Sequence, residues 1–255
     1  MDLLDDVLSS VQFRGMVYCQ SEFSVPWGVK WEGRPGRAGF FMVLRGGCYF
    51  ESTLSDRPIA LGPGDFIMAS RDRPYCLRDS PDSAAIKFDD LMRLLDLDFE
   101  SEHRLIEYGG GGTKTKIIMG CYDFDTSNNN PFFASLPDFI YIRSEELQSE
   151  PWLETSIRFL ASECSSTKLG SAICVRRLTE MVFVQAIRLH MNRHEPDAKT
   201  TWLSAVADPQ IGRAISLVHD APQEDWTVAQ LAHSVGMSRS SFAAKFKELT
   251  DVSPP

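Results

Sequence analysis

At about Glu150 the apolar residues change their spacing, and that change constrains the fold more than any single motif. From about residue 11 to 143, short aromatic and β-branched runs recur: "FRGMVYCQSEF", "VPWGVKWE", "GFFMVL", "CYFEST", "FIMA", "YCLRD", "KTKIIMGCYDFD" and "FIYIRS". Gly, Pro, Ser and Asp separate them, as turns separate strands. "RGG" at Arg45–Gly47 and "LGPGDF" at Leu61–Phe66 are turn sequences, since glycine takes positive φ at no steric cost. Short strands at this density predict a barrel or sandwich. After Glu150 the period is helical, with Leu153, Ile157, Leu160 and Cys164 on one stripe. The chain is therefore read as α+β, strands first and helices after.

One stretch breaks the strand rhythm. Lys87–Lys116 is acidic and ends in four glycines, and Leu91, Leu94 and Leu95 suit one or two helical turns. The glycines do not fit a phosphate-binding G-x-x-x-x-G-K-[ST] loop. An insertion between strands is the expectation here. From Ser171 to His190 a longer helix carries Val175, Leu178, Val182, Ala186 and Leu189 on one side. A second stripe holds Ile173, Val184, Ile187 and Met191. A helix apolar on two faces is buried twice, either within one subunit or against another. "NRHEPDAKTTW" reads as a linker, because Pro196 cannot continue a helix. Beyond it, "DPQIGRAISLVHD" is a helix with Ile211, Ala214, Ile215 and Val218 inward, Asp208 as its N-cap and Pro209 opening it.

The 255 residues suffice for about two domains. With no apolar run of 18 residues, no membrane span is expected. The acidic start "MDLLDDVLSS" is unlike a secretory leader, so the cytoplasm is the expected location. Six scattered cysteines without a C-x-x-C pair are expected to be reduced and structural there. A net charge of −9 argues against diffuse nucleic-acid binding, though a local basic face remains open.

Such a face is found in "DWTVAQLAHSVGMSRSSFAAKFKEL", Asp225–Leu249. Val228, Leu231, Ala232 and Val235 form the buried side of a first short helix, and Ala232 is small where a second helix crosses. Gly236 stands at the turn with Met237 beneath it, Ser238 is the N-cap of the second helix, and Phe242 and Phe246 anchor that helix inward. Arg239, Ser240, Ser241, Ala244 and Lys245 are left facing solvent or DNA, with Ala243 beside them. Over Asp208–Pro255 four basic residues stand against six acidic ones, but Ser238–Leu249 holds three basic and one acidic. An αα-hairpin in a core is the plain alternative.

"WTVAQLAHSVGMSRSSFAAKFKELTDVSP" resembles the first helix-turn-helix of the AraC/XylS family of bacterial transcription regulators, and "DPQIGRAISLVHD" resembles the helix before it. "DVLSSVQFRGMVYCQSEFSVPWG", "VLRGGCYF", "LGPGDFIMAS" and "NPFFASLPDFIYI" resemble the cupin-type sensor domain fused to some of these regulators. The resemblance implies a sensing and dimerising domain followed by a DNA-binding domain with two helix-turn-helix units. It divides the chain into a cupin-like barrel (1–145), a helical packing or dimerisation region (146–194), a linker (195–207) and the first half of a DNA-binding domain (208–255). The second helix-turn-helix lies outside these residues, and Asp251 replaces the family's usual glycine after the reading helix.

Metal-bearing cupins hold histidines in a G-x5-H-x-H stretch and after the P-G turn. Here the stretch reads "AGFFMVL" and Tyr75 replaces the later histidine, so no metal and no cofactor is expected. His190 and His194 are an i, i+4 pair without a third ligand; His103, His219 and His233 read as ordinary positions. Trp27, Phe41, Tyr49, Met68, Tyr75 and Tyr122 are the candidate ligand-binding residues of an aromatic interior suited to a small apolar or aromatic effector. A redox input through Cys19 and Cys121 is the rival. The reading is a homodimeric, cytoplasmic regulator and not an enzyme, with DNA bound weakly by one reading helix. The alternative is a metal-free cupin enzyme with a helical appendage.

Overall fold

The computed structural model describes residues 13–53, 55, 57–69, 73–97, 105–124, 136–164, 166, 168–192, 205–206, 208–221, 223–250 and 252–254. Contacts group 13–126 and 137–187 into one unit, and the residues from 188 onward belong to a second. The four segments expected from sequence cut the chain more finely than these two units. His103, His194 and nearly all of the expected linker lie outside the described residues.

Among the described residues the first unit holds eleven strands: β1 (Phe13–Ser24), β2 (Gly28–Trp31), β3 (Arg37–Arg45), β4 (Cys48–Ser52), β5 (Ile59–Leu61), β6 (Phe66–Ala69), β7 (Tyr75–Arg78), β8 (Ile86–Lys87), β9 (Leu105–Gly109), β10 (Lys114–Phe124) and β11 (Phe139–Ile142). They form a six-stranded sheet, β11-β6-β3-β10-β1-β9, and a five-stranded sheet, β5-β4-β7-β2-β8. Pairing is antiparallel except for β1 with β9 and β2 with β8. Both sheets supply one core, with Phe23, Phe41, Val43, Ile67, Ile117 and Met119 from the larger and Val29, Cys48, Phe50 and Leu77 from the smaller.

The described helices of this unit are α1 (Phe88–Leu94), α2 (Ser144–Ser149), α3 (Pro151–Cys164) and α4 (Ser171–Asn192), and α3 and α4 pack on the outer face of the larger sheet. Tyr122 of β10 packs on Phe183 of α4 at 4.9 Å and on Phe40 of β3 at 5.1 Å, and its hydroxyl donates to the Thr179 carbonyl at 3.2 Å. The Gln20 amide donates to the Ala161 carbonyl of α3 at 3.0 Å. Burial on both faces explains why "GFFMVL", "FIMA" and "KIIMGCY" read as continuous apolar runs.

Two expectations change. The 87–116 stretch is no mere insertion: α1 buries Leu91 and Met92, and β9 adds a parallel strand to β1. Its glycines turn back along that strand, where the Gly110 and Gly112 amides donate to the Ser24 and Val25 carbonyls at 2.9 Å each. On α4, Ile187 faces inward beside Val182, Phe183 and Ala186, so it does not share an outward stripe with Ile173. Ile173 and Met181 are the exposed large apolar residues of that helix, Val184 is half-buried, and Trp152 and Phe159 are exposed on α3.

In the second unit α5 (Ile211–Asp220), α6 (Val228–Ser234) and α7 (Arg239–Thr250) enclose a small core of Ala205, Ile211, Ala214, Leu231, Ala232 and Phe242. Thr227 caps α6 in a reciprocal box with Gln230, which stood unremarked in the sequence. The Trp226 indole donates to the Ala221 carbonyl at 3.1 Å and closes the α5–α6 connection.

Candidate functional site

A cavity of about 330 Å³ lies in the first unit among β2, β3, β7, β10 and α1. Strand alternation decides what reaches it. Phe41 of β3 points in while Phe40 points out; on β10, Met119 and Cys121 point in while Tyr122 points out. Trp31 and Phe88 complete an aromatic wall. The Trp31 ring lies 4.8 Å from Phe41, 5.4 Å from Tyr75 and 5.2 Å from Phe88. A Cβ at Gly39 would sit 2.1 Å from the Tyr75 hydroxyl, so glycine there is what lets the phenol cross β3. Burial pushes the Tyr75 phenol well above its ordinary value, with the nearby Cys121 thiol adding to the effect, so the group stays neutral.

The rim is charged and internally paired. Arg34 meets Asp89 at 2.7 Å and Arg93 meets Asp90 at 2.6 Å. Arg37 grips Asp123 with two bonds, at 2.5 and 3.0 Å. Lys87 and Lys30 share Glu32 at 3.2 and 3.6 Å, and the Lys87 hydrogen bond leads in holding that carboxyl below its usual range. Such exposed pairs add little stability each. Together they leave an apolar, aromatic floor beneath a polar mouth, the build of a site for a small molecule.

Of the six expected ligand-binding residues, Phe41 and Tyr75 line this cavity. Trp27 belongs to the same core but stacks on Phe23 at 4.6 Å. Tyr49 alternates with the inward Cys48 and Phe50, and Met68 with the inward Ile67 and Ala69. Tyr122 faces α4. Phe88, Met119 and the rim charges went unread. Met119 shares a face of β10 with Cys121 and not with Tyr122, but parity does not say which of the two faces lines the cavity. Cys121 lines the cavity. Cys19 lies on the adjacent strand, paired with Met119, and its side chain is outside the described residues.

Cupin folds often carry a transition metal, and the cavity's donors do not fit one. They are a thiol, a phenol and carboxylates already held by cations, with Phe41 and Tyr75 where imidazoles would be needed.

The second unit presents a different surface. Gly236 takes φ +69°, the left-handed turn that joins α6 to α7. The Ser238 hydroxyl accepts the Ser241 amide at 3.1 Å and caps α7. Phe242 is fully buried and meets Phe246 at 5.7 Å. Arg239, Ser240, Ser241 and Ala244 are exposed, whereas Ala243 and Lys245 are half-buried. The Ser238 hydroxyl lies 2.8 Å from that of Ser241 and 3.2 Å from that of Ser240. Lys245 turns back to Asp208 at 2.7 Å.

Two family models match the chain. A cupin family model matches residues 2–192, and the model of bacterial regulatory helix-turn-helix proteins of the AraC family matches residues 218–254. The chain is a cupin-bearing regulator of the AraC family. It is similar to a putative AraC-like transcription regulator of Streptomyces lividans, at 28% identity over 100% of this chain and 80% of that one. The HTH-type transcriptional regulator AlkR of Acinetobacter baylyi is 25% identical over 84% of this chain and 68% of its own. A looser likeness, 9% identical with a TM-score of 0.37 over 94% of this chain and 93% of the other, is to the crystal structure of unsaturated fatty acid bound ToxT from Vibrio cholerae. This regulator therefore binds DNA through an AraC-type helix-turn-helix and carries a cupin-like sensing domain. Its relatives are regulators, and the reading as a cupin enzyme gives way. Among the described residues no helix is long and apolar enough to cross a membrane.

Proposed function

We propose that the cavity beneath Trp31 binds a small effector with an apolar, flat body, and that its occupancy modulates how α7 reads DNA. The carrying observation is the aromatic floor of Trp31, Phe41, Tyr75 and Phe88 beneath a polar mouth. On α7, Arg239 holds a phosphate, while Ser240, Ser241, Ala243 and Ala244 lie toward base edges. Such small residues discriminate bases poorly, so this 255-residue chain binds DNA weakly and with little sequence preference. The regulator works as a homodimer in the cytoplasm. The exposed Trp152, Phe159, Ile173 and Met181 support self-association of the first unit.

A panel of small aromatic and aliphatic compounds, followed by Trp fluorescence and by DNA affinity, tests the effector site. At least one compound should bind, shift DNA affinity, and lose both effects in Cys121→Leu, which adds bulk to the cavity. Compounds that still act on that variant would sink the assignment. The redox reading keeps a foothold in Cys121 and the neighbouring strand of Cys19. Its arm of the same assay is mild oxidant followed by mass spectrometry. A Cys19–Cys121 link that alters DNA affinity would favour it over the small molecule.

A further inference from the structure

The reading helix carries three cations, and one of them is unlike the others. Arg239 and Lys247 are exposed, but the Lys245 side chain keeps only 33% of its surface. Its ammonium lies 2.7 Å from Asp208 Oδ2 and donates to Gln210 Oε1 at 3.4 Å. The Asp208 side chain is 17% exposed, and its other oxygen accepts the amides of Gln210 at 3.0 Å and Ile211 at 2.9 Å. Burial works against its charge, yet the Ile211 amide, the Lys245 ammonium and the Gln210 amide outweigh burial and hold the carboxyl below its ordinary value. Gln210 also reaches elsewhere: its amide donates to the Val235 carbonyl, at the end of α6, at 3.2 Å. Three places are thus joined through polar atoms: the start of α5, the turn after α6, and the middle of α7.

We propose that Asp208, Gln210 and Lys245 form a polar clasp that fixes the rotation of the reading helix, so that Lys245 positions α7 and does not hold a DNA phosphate. The proposal rests on α7 being the helix that meets DNA. The apolar contact of Phe242 with Leu231 and Ala232 sets how close α7 comes, but such contact is non-directional. Hydrogen bonds have a narrow range of distance and angle, and the two from Lys245, to Asp208 and Gln210, restrict how α7 can roll about Phe242. An ammonium that left this site for a phosphate would abandon a carboxylate that its two backbone bonds prevent from following. Leaving a half-buried charge unpaired opposes that exchange. Correct roll decides whether Ser240 and Ala244 face a groove, so the clasp acts through residues it does not touch.

The test uses the full chain, a labelled random-sequence DNA duplex and a salt series. Arg239→Gln should lower the salt slope by about one, as loss of a phosphate contact does. Lys245→Gln should weaken binding severalfold at an unchanged slope, and Lys245→Arg, which can remake the pair, should recover most of it. A slope reduced by about one in Lys245→Gln would overturn the clasp. Asp208→Asn removes a negative charge, so an interface governed by charge alone would bind tighter; the clasp requires weaker binding, and tighter binding refutes it. Thermal unfolding without DNA provides an independent arm. The double variant Asp208→Asn, Lys245→Gln should melt no lower than the worse single variant, and strictly additive shifts would count against the pairing. A chain that failed to bind the duplex at all would remove the DNA reading of α7, while the unfolding arm would still decide the clasp.

Discussion

The two units bury their aromatic residues for different ends. In the first, Trp31, Phe41, Tyr75 and Phe88 surround a cavity, so the core is also the surface a ligand would touch. In the second, Phe242 fills a small core, and Arg239, Ser240, Ser241 and Ala244, four of the residues proposed to meet DNA, are exposed on the same helix. A hollow core must exchange packing for access; a solid one keeps the two apart. The β unit can hence be altered in function by a buried substitution, whereas the helical unit responds to the same kind of change with loss of fold.

The largest expected effect follows directly. Phe242→Ala should cost about 3–5 kcal/mol, the usual range for deleting a buried aromatic ring. So small a core has little to spare, and the C-terminal unit should unfold while the β unit melts as before. Calorimetry showing both transitions shifted together would break the comparison.

The same contrast governs what the sequence revealed. In the helix-turn-helix every deciding residue lies within about one run of helical spacing, so Ala232, Gly236, Ser238 and Phe242 could be placed by counting. The cavity is assembled from β2, β3, β7, β10 and α1, and counting along one strand gives parity but not which parity faces in. Phe41 and Tyr75 were legible as aromatics on strands; Tyr122 and Met68 looked equivalent to them, but Tyr122 packs on α4 and Met68 lies on the face opposite Ile67 and Ala69. The pairing of rim charges was not legible, because Arg37 and Asp123 come from strands that adjoin only in the folded sheet. The Lys245–Asp208 pair was hidden for the same reason, with 36 residues between its partners.

A second, smaller effect sharpens the picture of α4. Ile187→Asp should unfold the β unit, because this side chain is fully buried. Ile173→Asp with Met181→Asp should leave that unit folded and weaken self-association, since these residues are 46% and 39% exposed. Sedimentation across a concentration series is the check. An unaltered chain that stays monomeric throughout would remove the dimer.

The smallest effect is a dependence on alkaline pH that is stronger in one unit than in the other. All six tyrosines and all six cysteines lie before residue 188. Burial, with the Asp65 charge adding to it, pushes Cys48 from 9.0 up to about 12, and the same two causes raise Tyr141 from 10.0 to about 12. Both groups are neutral acids in the fold, with folded values above unfolded ones. Their contribution to stability is therefore intact below about pH 9 and is lost as pH rises toward 12. The β-unit transition should fall over that window. The helical unit has no thiol or phenol to ionise and should fall less over that window; an equal fall in both would contradict the assignment.

The central ladder of the larger sheet also dictates an order of events. Phe13 of β1 is paired with Phe124 of β10, and β10 is the strand that separates β1 from β3. On a growing polypeptide β1 and β3 emerge early and wait, with unpaired edges, until the segment through Phe124 has been made. Closing so long a loop is slow, and an unpaired strand is what chaperones and other nascent chains can capture. The helix-turn-helix closes over the few dozen residues from Ala205 to Leu249 and can form as soon as they are free. Interruption of synthesis before residue 124 leaves a sticky set of strands without its centrepiece, so β10, the strand that brings Met119 and Cys121 to the cavity, also sets how safely this regulator is born.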